Sequence, residues 1–476
     1  MRNVSILPAP IGANRQIGTR WGRGDAIIVA SLMFLFPVDY FDSSRRGLAL
    51  RKFLFIGAIV TGTTILGACG GGPVVSAPPS LAQPGGSASG TAGRLSAQRA
   101  LELGYVRAVC PQAHRVRCLS YRVTSSGLAA LGFNSAAAIS ATTTVPGYGP
   151  TDLQSAYKIT PTGGSGKTVA VVEEGDYPTL AADLAVYRSH FALASCTVST
   201  GCLRIVNQDG KPSPLPSPDA GWSQETALDV DMVSAMCPKC KILVVEANED
   251  ATNTGETQLQ YLATAENTAA RLGAVAISNS YGNEETPDEL TAFAPAYTHA
   301  GVAVTAATGD FNLSSVQPAV FGSVIAVGGT TLNRDSGTSR GWSEGAWNGA
   351  SGWCAQNVPG VPEPSWQINN GITICSGLRG YADVAFDADP TTGVAVYNQG
   401  WSVGGGTSAG APAIAALYAL AGTGRDTPKS LYTKADDLND ITGPSVSGCQ
   451  SILCQAGPGW DGPTGNGTPN TLEAFY

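Results

Sequence analysis

Ser408 lies in VGGGTSAGAP (403–412), between a glycine-rich run and a proline. A free serine hydroxyl is a weak nucleophile and needs a partner to take its proton. The chain has three histidines, the commonest such partner. His114 sits between two cysteines, His190 in AVYRSHFAL and His299 in AYTHAGVAV, and each reads as a surface or packing residue. Carboxylates offer more. In GWSQETALDVDMV (221–233), Glu225 and Asp229 are four apart and share one face of a helix, whereas Asp231 points elsewhere. Leu228 and Met232 form a second such pair that can face the core. Two acids on one face usually mark a solvated surface, but Trp222, Leu228, Val230 and Val233 make this one apolar. Desolvation and mutual repulsion would raise one pKa and couple the two titrations. A third acid, Asp310, ends the apolar run GVAVTAATGD, where the ordinary reading is a turn aspartate.

Positioning these side chains calls for a parallel sheet. KTVAVVE, KILVVEA, AVAISNSYG, GVAVTAATGD and SVIAVGG read as buried strands. Helical stretches such as SQETALDVDMVSAM and TGETQLQYLATAENTAARLG lie between them. This alternation predicts an α/β fold, a mostly parallel sheet with helices on both faces and its site at the carboxyl ends of the strands. The run Gly163-Gly-Ser-Gly-Lys167-Thr168 imitates a phosphate-binding loop, but Pro161 stands where its first glycine belongs and a strand follows it. It reads as a turn.

Of 476 residues, 43% are hydrophobic and only 13% charged, with a net charge of −8. A sizeable core is affordable, no nucleic-acid partner is expected, and few carboxylates change state as pH falls. Arg45, Arg46, Arg51 and Lys52 precede the apolar run FLFIGAIVTGTTILGA, a signal-peptide pattern. Its end, Leu66-Gly67-Ala68-Cys69, resembles a bacterial lipobox, which would make a lipid on Cys69 the only link to a membrane. Residues 1–44 fit neither pattern, as a misassigned start codon would leave them. The expected organisation is therefore 1–69 extension and lipoprotein signal peptide, 70–96 Gly/Pro/Ser/Ala-rich tether, 97–145 short pro-like segment, and 146–476 a compact domain. Without Cys69, the remaining ten cysteines fall in sequence-adjacent couples, suggesting five local disulfides in an oxidising compartment. Cys237-Pro-Lys-Cys240 follows a helical pattern and precedes a strand, the reverse of a thioredoxin-like order, and reads as a structural bridge.

Several segments together resemble one family. GTSAGAP (406–412) is similar to the GTSAxxP motif of the sedolisins, serine-carboxyl peptidases with a subtilisin-like fold. ETALD (225–229) resembles their paired-acid motif, and TGD (308–310) their oxyanion-site SGD, with Thr for Ser. PGYGPTDLQSAYKI, GWSEGAW and DVAFDADPTTGVAVY resemble further segments, so the likeness covers about residues 146–476. No histidine stands in the HGT context of subtilisin-type proteases.

The resemblance implies that Ser408 attacks the scissile carbonyl and Glu225 accepts and returns its proton. Asp229 would orient Glu225, and a protonated Asp310 would stabilise the oxyanion. Since an imidazole of pKa about 6.5 is already protonated at acid pH whereas a carboxylate near 4.3 can still act as base, an acidic optimum follows. The resemblance also implies one structural calcium ion, held by Asp440 and Asp461 and by the carbonyls of Ile441, Gly457 and Gly459. Without it, Asp440-Ile441 and GPGWD (457–461) would read as turns.

One departure is plain: the family carries a long folded propeptide, and only about 75 residues separate Cys69 from Pro146 here. The leading expectation is a monomeric, exported endopeptidase acting on peptides or proteins. The alternatives are a tripeptidyl exopeptidase of the same family and a catalytically silent peptide-binding lipoprotein.

Overall fold

A computed structural model describes residues 96–110, 115–130, 145–249, 256–310, 316–356, 361–422, 427–443 and 451–476. The expected signal peptide, Cys69, residues 70–95 of the tether and His114 lie outside the described residues.

Three short strands come first: β1 (Val106–Ala108), β2 (Arg117–Cys118) and β3 (Tyr121–Val123). The apolar runs then form β4 (Thr168–Glu174), β5 (Leu203–Asn207), β6 (Lys241–Ala247), β7 (Ala276–Asn279), β8 (Tyr281–Glu284), β9 (Ala303–Ala307), β10 (Val316–Gln317) and β11 (Ile325–Arg334). They are followed by β12 (Trp342–Ala346), β13 (Trp353–Cys354), β14 (Gly380–Tyr381), β15 (Val384–Asp387), β16 (Val394–Tyr397) and β17 (Trp401–Gly405). The main sheet has eight strands in the order β12-β11-β9-β7-β4-β6-β5, with β15 also paired to β11. All its pairings are parallel except β11 with β12.

Alternation along the strands explains why their sequences are continuously apolar. Val169 and Val171 of β4, with Ile242 and Val244 of β6, join the core on one face. Ala170, Val172, Leu243 and Val245 join the core on the other. A strand covered on both faces has no polar side to show in its sequence. The helices Ala220–Met236 and Gly410–Ala421 cover the first face and Glu256–Arg271 packs on β4 and β6 at the second. Asp219 caps the helix Ala220–Met236, its carboxylate accepting from the Trp222 N–H at 2.7 Å. Every residue from Trp222 to Met236 in that helix is buried, so its polar residues must find partners inside the protein.

Four disulfides join Cys110 to Cys118, Cys196 to Cys202, Cys237 to Cys240, and Cys354 to Cys375, each a sequence-adjacent couple. Cys454 is disulfide-bonded as well, while its expected couple, Cys449, lies outside the described residues. Cys237 and Cys240 are fully buried between a helix end and β6, a structural bridge. The phosphate-loop mimic is a turn feeding β4, with the Lys167 N–H bonded to the Gly164 carbonyl at 3.0 Å.

The early strands are woven into the rest of the molecule. β3 is paired antiparallel with both β1 and β17, and β2 runs antiparallel to β8. A path from residue 115 to residue 123 therefore crosses the molecule between β8 and β17.

Candidate active site

Ser408 belongs to a single 3-10 turn, Thr407–Ala409, that links β17 to the helix Gly410–Ala421. Pro412 falls in that helix's first turn, where a missing N–H costs nothing. Gly406, just before it, has φ 96°. A methyl group there would come within 2.4 Å of the Leu119 carbonyl oxygen and 2.6 Å of Asp310 Oδ2, so only glycine fits.

Glu225 and Asp229 point from the buried helix toward this turn, and both are wholly inaccessible to solvent. Ser280, between β7 and β8, joins them to Ser408. Its hydroxyl donates to the Asp229 carboxylate at 2.8 Å, while its carbonyl accepts from the Ser408 hydroxyl at 3.1 Å. Glu225 takes a hydrogen bond from the Ser120 hydroxyl, and Ser408 also helps hold its charged form. Asp310 sits past the end of β9, after Gly309 with φ 110°. One of its oxygens accepts from the Thr407 N–H at 2.8 Å and hydroxyl at 2.7 Å. The other, Oδ2, is buried and has no hydrogen-bond partner among the described residues.

Burial dominates the electrostatics. It lifts Glu225 well above the usual carboxylate range, the neighbouring charge of Asp229 lifts it further, and hydrogen bonds from Ser120 and Ser408 pull it partly back. Asp229 is pushed up to about 8 by burial, against hydrogen bonds that include the one from Ser280. Asp310 is pushed up to about 7 by burial, opposed by its two bonds from Thr407. An acid in that state is protonated below neutrality and can donate from Oδ2.

Sequence reasoning missed Glu173. It is fully buried on β4, and burial followed by the charge of Asp229 raises its pKa well above the usual range. The signal was available: in KTVAVVE the parity that turns Val169 and Val171 to the first face turns residue 173 there too. Ser280 and Ser120 were missed because serines in a serine-rich chain carry no signal until their neighbours in space are known. The two histidines among the described residues lie apart from the acids. His190 packs on the Phe191 and Trp401 rings at 4.8 and 4.7 Å, and His299 precedes β9, at the end opposite Asp310.

The Leu119 backbone lies across the site. Its N–H donates to the Ser280 carbonyl at 3.0 Å, and its carbonyl accepts from the Ser408 N–H at 3.1 Å. Its side chain is buried with Ala307, Val316 and Ala411.

The second predicted site is only partly assembled from side chains. Asp461 is buried and Asp440 exposed, yet both close on the same turn. The Gly457 N–H donates to Asp461 at 3.1 Å and the Gly459 N–H to Asp440 at 3.2 Å. Burial pushes Asp461 up to about 7, and the charge of Asp440 contributes. Among the described residues no group of three or more His, Cys, Asp or Glu could hold a metal. Both acids offer oxygen, the hard donor that calcium takes, and both are bonded to N–H groups of the 457–461 turn.

The chain is similar to known proteins over much of its length. Residues 218–441 match the subtilase family, Peptidase S8. Kumamolisin from Bacillus sp. (strain MN-32) is 32% identical over 356 residues, 68% of this chain and 62% of that protein. Sedolisin from Pseudomonas sp. (strain 101) is 27% identical over 375 residues, 71% of this chain and 62% of that one. The chain thus spans about three fifths of the length of the curated relatives it matches. The solved structure of Pseudomonas sedolisin, a serine-carboxyl proteinase complexed with two molecules of pseudo-iodotyrostatin, aligns with a TM-score of 0.57 and 25% identity. That alignment covers 69% of this chain and 96% of the other.

Proposed function

The chain belongs to the sedolisin family, and from that premise we propose that it is a serine-carboxyl endopeptidase acting as a monomer on peptides or proteins. The observation that carries this reading is the convergence on Ser408 of three buried acids: Glu225, Asp229 and Asp310. An uncompensated buried charge is expensive, and such clusters gather where titration is used.

In this mechanism Ser408 Oγ attacks the scissile carbonyl and Glu225, as carboxylate, takes its proton. Asp229, held by Ser280, keeps Glu225 in place and shares its charge state. The oxyanion is met by the Ser408 N–H and by protonated Asp310 Oδ2. Glu225 then returns the proton to the leaving amine, and water repeats the cycle on the acyl-enzyme. Two titrations oppose each other. Asp310 donates only while protonated, so activity falls as pH rises through about 7. Glu225 accepts only when ionised, so activity falls on the acid side, at a pH above the usual carboxylate range. The rate is therefore bounded on both sides, with Asp310 setting the alkaline limb.

An endopeptidase is favoured over a tripeptidyl exopeptidase because a strand already runs through the cleft in both directions from residue 119. A site that needed a free amino terminus three residues away would not accommodate it. Hydrolysis of an internally quenched peptide, set beside a tripeptide carrying a fluorogenic leaving group, separates the two. Ser408→Ala must abolish whichever activity is found.

The same reading has one calcium ion held by Asp440, Asp461 and the carbonyls of Ile441, Gly457 and Gly459. It would cancel the repulsion of the two acids and pin the loop to the strand before it. The chain is read as exported, in keeping with its disulfides, with a lipid on Cys69 as its anchor. Labelling by a fatty-acid analogue that persists in Cys69→Ser would remove the anchor from this account.

A further inference from the structure

No step of that mechanism uses residues 115–123, yet they occupy the cleft. Leu119 meets Ser408 as a substrate residue on the acyl side of a bond would: carbonyl on the nucleophile's own N–H, N–H on Ser280, side chain in a closed pocket. On one side of it, Arg117 and Cys118 pair with Gly282 and Tyr281 of β8. On the other, Ser120 reaches Glu225, and Tyr121 and Arg122 pair with Gly405 and Gly404 of β17. Backbone pairing on both sides of a carbonyl seated at a nucleophile is how an extended peptide binds a sheet edge. Arg117 also favours the charged form of Asp310, so the segment works against the donor that the oxyanion needs.

The segment is braced as well as bound. β1 pairs with β3, and the Val109 N–H donates to the Ser120 carbonyl at 3.0 Å. The Cys110–Cys118 disulfide ties the residue before Leu119 to the chain leaving β1. Tyr121 and Val123 are packed with Trp347 and Val403. The two sides of the Leu119–Ser120 bond are therefore joined without using that bond: through the disulfide to β1, and from β1 to β3.

Building on the peptidase reading, we propose that Leu119–Ser120 is the chain's own reactive bond, in a disulfide-braced loop that inhibits the enzyme by occupying its cleft as a substrate that is released slowly. Ser408 Oγ bonds to the Leu119 carbonyl carbon while its proton passes to Glu225. The bond to the Ser120 nitrogen breaks, and that nitrogen takes the proton as an amine, leaving Leu119 as an ester on Ser408. In a free peptide the amine diffuses away and water completes hydrolysis. Here β1 and β17 hold residues 121–123 in place, so the amine is positioned to attack the ester and restore the peptide bond. Holding two reactants in place raises their effective concentration enormously, about 10⁵ M or more in well-oriented cases, which favours resealing over water. The pocket lined by Ala307, Val316 and Ala411, with Leu119 Cδ1 3.5 Å from the site of a methyl on Gly282, takes a branched aliphatic side chain. The class of substrate is thus a polypeptide with leucine or a residue of similar size on the acyl side.

The test uses the full chain as wild type, Cys110→Ala/Cys118→Ala, Leu119→Arg and Ser408→Ala, each incubated at a series of pH values from about 4 to about 8, which spans free and raised carboxylates. New amino termini are sequenced, and hydrolysis of an unrelated quenched peptide with leucine before the cut is followed. Wild type should be cut partially, only before Ser120, and hydrolyse the peptide slowly. The double variant should be cut fully at the same bond and hydrolyse the peptide at least about tenfold faster, because the lost brace lets the amine escape. Leu119→Arg, which keeps both cysteines, should show no terminus at Ser120, and Ser408→Ala should stay whole and inert. A double variant that hydrolyses the peptide without a Ser120 terminus overturns the inference. So does one that matches wild type in cut and rate, or a Leu119→Arg chain cut there as readily as wild type. If no form cuts itself or the peptide, the peptidase reading fails, and this inference with it.

Discussion

Two groups of fully buried acids stand in the same fold and are treated in opposite ways. Asp383, just before β15, is matched at every turn: Arg379 donates to it at 2.6 Å, the Ala326 N–H at 2.7 Å and the Tyr432 hydroxyl at 2.7 Å. Burial still raises its pKa, but the Arg379 charge leads the opposing effects. Glu225, Asp229 and Glu173 are equally buried and have each other for neighbours, with serine hydroxyls relieving only Glu225 and Asp229. The first arrangement fixes a structure. The second stores protons beside Ser408, at the carboxyl ends of the strands, where a charge that comes and goes is of use. A buried carboxylate is informative only with its partners: a cation beside it points to architecture, other acids beside it to chemistry.

The sharpest way to break this contrast is by activity. Ser408→Ala should lower peptide hydrolysis by at least about 10³-fold with thermal stability unchanged, and Glu225→Gln by about 10²–10⁴-fold. Comparable turnover in both variants and the wild type would make the acid cluster an accident of packing.

Stability should respond in the reverse pattern. Arg379→Met leaves Asp383 buried without its cation and should cost about 3–5 kcal/mol, measured by chemical denaturation. Asp229→Asn replaces a buried group that ionises freely in the unfolded chain by one that does not, and should leave stability at pH 7 unchanged or raised. If Asp229→Asn proves as damaging as Arg379→Met, the distinction between the two groups disappears.

The acid cluster also sets how stability varies with pH. For Glu225, Asp229 and Asp310 the folded pKa lies above the unfolded one. The native state thus binds protons more tightly, so their contribution is full below the unfolded values and is lost as pH rises through the folded ones. Stability should decline between about pH 4 and about pH 8. A Tm that falls as pH rises over that range checks it. The effect of chelation should be smaller. If Asp440 and Asp461 hold calcium, chelator should lower Tm by a few degrees at neutral pH and added calcium should restore it. An unchanged Tm would leave the loop as two hydrogen-bonded turns.

The fold was legible where burial is two-sided. KILVVEA became β6 over its whole length, and KTVAVVE became β4. The carboxylate pair was legible because a four-residue spacing on an apolar helix is a local pattern. What escaped were contacts between distant segments. Nothing local in CLSYR places Leu119 on Ser408, 289 residues ahead, and Ser120 bonds Glu225 across a sequence separation of 105. Burial was also out of reach of the sequence, and reference pKa values carry none of it. A carboxylate near 4.3 describes an exposed acid, and burial moves Glu225 and Asp229 upward from there.

The central claim is that Asp310 acts as a protonated donor opposite an ionised Glu225. A pH–rate profile on a quenched peptide for the full chain and for Asp310→Asn tests it most directly. The wild-type rate should fall on both sides of a maximum, with the alkaline fall near pH 7. In Asp310→Asn, whose amide donates at any pH, that alkaline fall should vanish. An alkaline limb unchanged by the substitution, or a wild-type rate still climbing above pH 7, would contradict the account.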